Sequence, residues 1–238
     1  MFKDYVTLGK ALTSLDVIAV LWFGLAWVGY TYFSAWYARR APSLHGVMDE
    51  VRRMWAQRMV ERDNRMVDIN IVRNLTRSSQ FFASTTLLIL GALLALMGYV
   101  QKAVDVMSEL PFAVKASERL WEMKILLLVG VFVYAFFKFS WSIRQFGFCT
   151  VVVGATGTLG SNIEEHRLDM NRLALVVSFA SSNFNQGLRA YYFGVAALAW
   201  FVHPWLLMVA TAWVVWVLYA REFRSRTLSV LRTGLDRD

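Results

Sequence analysis

The amino-acid sequence predicts an all-α fold, a polytopic transmembrane helical bundle of five spans, with four as the alternative, carrying amphipathic cytoplasmic helices. Three observations lead there. Hydrophobic residues make up 57% of the 238 and charged residues only 18%, with a mean hydropathy of +0.43; one soluble core of this length needs less apolar surface. Val17–Tyr37 and Phe81–Tyr99 carry no charge, and about 20 such residues let a helix cross a hydrocarbon core of roughly 30 Å. The 17 Phe, 10 Trp and nine Tyr suit broad contact with the lipid–water boundary, where amphipathic rings settle.

The first span lies near 17–37. Ser14 is placed to cap it, and Asp16 falls in its first turn, where the helix dipole favours a carboxylate. Arg39 and Arg40 end it. In the second span, near 81–99, Ser84, Gly91, Ala95 and Gly98 fall close to one face, which is expected to admit a neighbouring helix. The third apolar run, Ile125–Phe137, continues through Lys138 and Arg144 to Val153, so a helix spanning near 121–142 is expected to run on past the bilayer with both cations turned from lipid tails.

Ala190–Ala220 is too long for one upright span, at about 45 Å as a single helix, and Pro204 divides it. It is either one kinked helix or a hairpin turning at His203-Pro204-Trp205, with the proline opening the second arm. Basic residues discriminate: nine lie in 38–80, five in 138–189, five after Ala220, and six in the N-terminal segment with 101–124. Four spans split them 14 against 11 and five split them 19 against 6, so the positive-inside rule selects spans near 186–203 and 204–220. The first of these has to begin near Asn183, with Arg189 reaching the interface. The N-terminus is then outside and the C-terminus cytoplasmic, in a plasma membrane, or the inner membrane if the chain is bacterial. Residues 1–238 read as one integral membrane domain. Residues 1–14 show no small-residue cleavage site, so the first helix is expected to be retained.

Two cytoplasmic segments, 43–80 and 161–185, read as helical. Leu44, Val47, Met48, Val51, Met54, Trp55 and Met59 recur at spacings of three and four, with Asp49, Arg52, Arg53 and Arg58 on other faces. Ile163, Met170, Leu173, Ala174 and Val177 form a second stripe. Such helices lie on the membrane surface or extend spans into the cytosol.

The net charge of +8 reads as this orientation bias plus attraction to anionic headgroups, not as a nucleic-acid footprint. Arg39, Arg40, Arg52, Arg53, Arg221, Arg224 and Arg226 are the expected headgroup contacts. The single cysteine, Cys149, excludes an intramolecular disulfide and a cysteine-built metal site. Val151-Val152-Val153-Gly154-Ala155-Thr156-Gly157-Thr158-Leu159-Gly160 has the look of a strand entering a dinucleotide-binding turn. Its setting opposes that: it continues a membrane-associated run, and no alternating βαβ pattern follows. It is expected to be the glycine-rich exit of the third helix. Glu164, Glu165, His166 and Asp169 include metal-ligand types, but in a charged segment that reads as solvated. Asn74-Leu75-Thr76 fits a glycosylation triplet on the wrong side of the membrane, and His203 reads as a turn residue. No serine–histidine–acid or paired-carboxylate arrangement stands out, so neither an enzyme nor a cofactor is expected.

Polar residues in the spans remain. Tyr134, Lys138, Ser142 and Gln145 make a stripe at helical spacing, with Arg144 beside it. Asn183, Asn185, Gln186 and Arg189 make a second cluster. Lipid penalises both, so they line an aqueous path or bond to another helix.

Five segments in order, "VRRMWAQRM" (Val51–Met59), "IVRNLTRSSQFFASTTLL" (Ile71–Leu88), "FSWSIRQFGF" (Phe139–Phe148), "NQGLRAYYF" (Asn185–Phe193) and "LYAREFRSR" (Leu218–Arg226), resemble a multi-pass membrane family of bacteria and plants. It is catalogued as domain of unknown function five-hundred-and-ninety-nine. The resemblance implies multi-pass topology and brings no catalytic or ligand residues with it. The function expected is that of a homo-oligomeric pore or transport-like protein with a basic cytoplasmic vestibule; the alternative is a non-transporting accessory, assembly or lipid-organising subunit of a larger membrane complex.

Overall fold

The computed structural model describes residues 13–102, 117–156 and 163–235, and among these every regular element is a helix. The helices are α1 (Ser14–Tyr37), α2 (Leu44–Val60), α3 (Met66–Met97), α4 (Glu118–Ala155), α5 (Ile163–Leu198), α6 (Pro204–Phe223) and α7 (Arg226–Leu235). Four stretches are long and apolar enough to cross a membrane: Ser14–Tyr37, Met66–Met97, Glu118–Ala155 and Pro204–Thr233. The chain is therefore a helical membrane protein.

The start of α1 differs from expectation by one residue. Thr13, not Ser14, is the cap: its Oγ1 accepts from the Asp16 amide (3.2 Å) and donates to Asp16 Oδ2 (2.6 Å), which also accepts from the Thr13 amide (3.2 Å). This reciprocal capping box satisfies donors on both sides of the first turn. Ser43 caps α2 in the simpler way, accepting from the Gly46 amide at 3.1 Å. α4 is continuous through Lys138, Arg144 and Gly154 to Ala155. Val151–Ala155 is helical, which removes the strand that a dinucleotide fold needs; Gly157–Gly160 lie outside the described residues.

The small-residue face on α3 also behaves differently from expectation. Ser84, Gly91, Ala95 and Gly98 are exposed, whereas Ala83, Thr86 and Leu93 are buried. Among the described residues, no helix of this chain covers that face.

Contacts gather the chain into two units. The first comprises residues 1–37, 87–134 and 189–220. In it α5 runs antiparallel to α1, Phe193 meeting Phe23 at 5.7 Å and Trp200 bonding Asp16. α6 runs parallel to α1, with the Trp22 indole bonded to the Met208 carbonyl and Tyr219 beside Phe33. α5 and α6 are thus opposed. A 3₁₀ turn, Ala199–Phe201, closes α5, and Pro204 opens α6 with His203 Nδ1 accepting from the Trp205 amide at 3.1 Å. This is the hairpin, with His203 as its turn residue.

The second unit comprises residues 38–86, 135–188 and 221–238. Its core is mostly aliphatic around one ring: Ala56, Met59 and Val60 of α2, Val72 of α3, Phe146, Cys149 and Val153 of α4, and Leu173, Ala174, Val177 and Ala180 of α5. Of the two expected apolar stripes, Met59 of the first and Leu173, Ala174 and Val177 of the second lie in this core, with Trp55 and Met170 packed against it, and α7 packs on α2. Arg65 ties the end of α4 down, donating to the Val153 and Thr156 carbonyls that the helix terminus leaves without partners.

Candidate functional site

The polar stripe on α4 is brought together with α3 and α5 in the second unit. Ser142 is buried and donates to the Ala180 carbonyl at 2.8 Å. Its hydroxyl also lies 3.2 Å from that of Ser79. One turn away on either side, Lys138 Nζ donates to Asn183 Oδ1 (3.3 Å), and Asn183 Nδ2 donates to Gln145 Oε1 (2.9 Å) and to the Phe179 carbonyl (3.0 Å). Side chains three and four apart on one helix share a face, so Lys138, Ser142 and Gln145 address α5 as a row. Gly187 lets α5 come this close, since a Cβ there would stand 2.6 Å from the Phe139 ring. That ring is buried and held by Phe82 (5.4 Å) and Phe184 (5.7 Å).

Other expected site residues go elsewhere. Tyr134, in the first unit, meets Trp27 edge-on at 5.5 Å. Arg189, also there, is half-buried, donates to Ser34 Oγ at 3.0 Å and lies 5.2 Å from the Tyr30 ring, a bond and a cation–π contact that turn it inward. Gln186 donates to Ser182 Oγ at 3.3 Å, while Arg144 and Asn185 are exposed. Of the seven expected headgroup arginines, Arg39, Arg40, Arg53, Arg221, Arg224 and Arg226 are exposed. Arg52 instead reaches Asp49 at 2.6 Å with its side chain only 14% exposed. Burial pulls its guanidinium below the ordinary arginine value, and the Asp49 carboxylate opposes that pull.

Two buried ionic clusters were not singled out in the sequence. In the first unit Asp16 Oδ1 accepts from the Trp200 indole at 2.8 Å, and Lys124 Nζ lies 5.5 Å from the Trp200 ring and 5.8 Å from Phe201. Asp16 and Lys124 are 2% and 4% exposed. In the second unit Asp68 Oδ1 accepts from the Trp55 indole (2.8 Å) and from Arg62 (2.7 Å), while Oδ2, equally buried, has no hydrogen-bond partner. A charge set inside an apolar run (Lys124) or at a helix start (Asp16, Asp68) was the available signal; the partners were not visible.

No group of three or more His, Cys, Asp or Glu side chains able to hold a metal occurs among the described residues. The side chains of Glu164, Glu165 and His166 lie outside them. What the α3–α4–α5 row does chemically is hold three helices by hydrogen bonds; its amides, hydroxyls and single ammonium include no carboxylate. No curated protein and no solved structure matches the chain. A family model does: it matches residues 18–227 under the description "Protein of unknown function, DUF599", and the chain belongs to that family.

Proposed function

We propose that this chain is a non-transporting, non-enzymatic interaction protein of the membrane, an accessory, assembly or lipid-organising subunit. One observation carries the reading: Lys138, Ser142, Gln145 and Asn183 bond to one another and to α5 carbonyls within the second unit. Groups engaged as interhelical ties are not presented to a passing ion.

The charge distribution supports a lipid-facing role. The second unit carries 18 basic and 11 acidic residues, against seven and six in the first. By the positive-inside rule the second unit belongs at the cytoplasmic leaflet, with five spans and the C-terminus inside, where exposed arginines meet anionic headgroups.

A homo-oligomeric pore with a basic vestibule is the competing reading. The exposed face of Ser84, Gly91 and Ala95 on α3 favours it, since small residues let a second copy approach closely. Liposomes containing the purified full chain decide between them. Chloride, phosphate, sodium and potassium flux is expected to match protein-free vesicles. Flux that falls on Lys138→Gln would reverse the conclusion and establish the pore.

A further inference from the structure

A cavity of about 560 Å³ lies beside α2 and α5 in the second unit, within the roughly 300–1,000 Å³ of ordinary small-ligand sites. Its lining carries both signs of charge. Arg53 faces it with a side chain 59% exposed, paired with an exposed Glu50 at 3.4 Å, and such a pair leaves guanidinium donors for a ligand. Asp49 uses Oδ1 on Arg52 and keeps a 33% exposed side chain with a second oxygen to offer. His45, Asn171, Ser178 and Ser182 complete the polar side. Ser182 Oγ accepts from Gln186, which leaves its own proton to donate.

The other side is apolar. Leu175 and Phe179, one turn apart on α5, line the cavity and are 50% and 55% exposed. A hydrocarbon wall thus leads out from a zwitterionic recess. A free anion has no use for that wall, and a purely anionic headgroup would set its charge against Asp49.

We propose that this cavity binds the phosphoethanolamine headgroup of a membrane phospholipid. The phosphate meets Arg53, His45 and the two serine hydroxyls. The primary ammonium donates to Asp49, and an acyl chain follows Leu175 and Phe179. A quaternary choline cannot make the bond to Asp49, having no N–H. This deepens the proposed function and rests on its placing of the second unit at headgroup level.

The test is native mass spectrometry of the full chain in mild detergent, titrated with phosphatidylethanolamine, phosphatidylcholine and phosphatidylglycerol of identical acyl chains. Phosphatidylethanolamine is expected to be retained about two- to fivefold over phosphatidylcholine, the worth of one partly exposed charged contact. Asp49→Asn is expected to bring that ratio close to one and to raise phosphatidylglycerol retention. Arg53→Gln is expected to lower retention of all three lipids. Equal retention of the ethanolamine and choline lipids by the unaltered protein overturns the proposal, with no variant needed. Displacement of the lipid by equimolar soluble O-phosphoethanolamine keeps the headgroup chemistry but overturns a lipid as its source. Ion flux is a separate measurement, so the headgroup site can fail while the non-transporting role stands, and the reverse.

Discussion

The two units handle charge in opposite ways. The first is nearly neutral, yet it buries a carboxylate and an ammonium, Asp16 and Lys124, among aromatic rings. The second carries almost all the net positive charge, yet its core is mostly aliphatic and its buried carboxylate, Asp68, is held by Arg62 and Trp55. Both pack rings, Trp27 on Phe193 at 5.3 Å in the first and Phe82 on Phe139 at 5.4 Å in the second, each such pair worth about 0.5–1.5 kcal/mol beyond area, but the closer approach of a glycine to a ring, Gly187 on Phe139, is in the second. Net charge therefore carries the proposed orientation. It does not indicate where a charge is structurally expensive.

The largest expected effect lies in the neutral unit. Asp16→Ala removes the capping box, leaves the Trp200 indole without an acceptor and takes the neighbouring negative charge from Lys124. A loss of about 3 kcal/mol is expected, read as a lowered unfolding midpoint in nanodiscs. Lys124→Met is expected to be near neutral or stabilising, because an apolar chain of similar length needs no desolvation. If both variants lost stability equally, the two charges would act as one ion pair and not as a carboxylate held by the indole and the cap.

Next comes close packing in the second unit. At Gly187 a new methyl meets a Phe139 ring fixed by Phe82 and Phe184, so Gly187→Ala is expected to cost about 2 kcal/mol. At Gly194, in the first unit, the nearest Phe132 atom stands at 3.0 Å, and about 1 kcal/mol is expected from the milder clash. The same thermal measurement orders the two. Asn183→Leu, which unties Lys138 and Gln145 together, is expected to lose about 1 kcal/mol.

Much of this fold was legible in the residues because membrane helices declare themselves by uninterrupted apolar length. Val17–Tyr37 and Phe81–Tyr99 fall within α1 and α3 almost whole, although α3 ends at Met97. Pro204 marked where the last apolar run divides, the count of basic residues selected a hairpin over a kink there, and the spacing of Leu44 to Met59 marked α2. Long-range partnership was not legible. Trp200 and Asp16 are 184 residues apart, and no local pattern pairs an indole with a distant carboxylate. Thr13 and Ser14 both suit a cap, and only the reciprocal bond to Asp16 separates them. The stripe on α3 was visible as small residues, but a stripe does not say whether its neighbour is a helix of the same chain. The row at Lys138 and Ser142 was found as a polar pattern, whose two uses, pore lining and helix tie, look identical until the partners are placed.

The smallest expected effect tests that distinction. Arg144 lies two residues beyond Ser142, about 200° around the helix, and is exposed while Ser142 is buried. Arg144→Gln is therefore expected to change stability by less than about 0.5 kcal/mol, where breaking the row at Asn183 costs more. In vesicles it is expected to leave ion flux at the protein-free level. A stability loss as large as that of Asn183→Leu would place Arg144 inside a packed interface, and among the described residues nothing buries it. A second copy of the chain or another membrane subunit would then be covering that face, so concentration dependence of the unfolding midpoint separates self-association from a foreign partner.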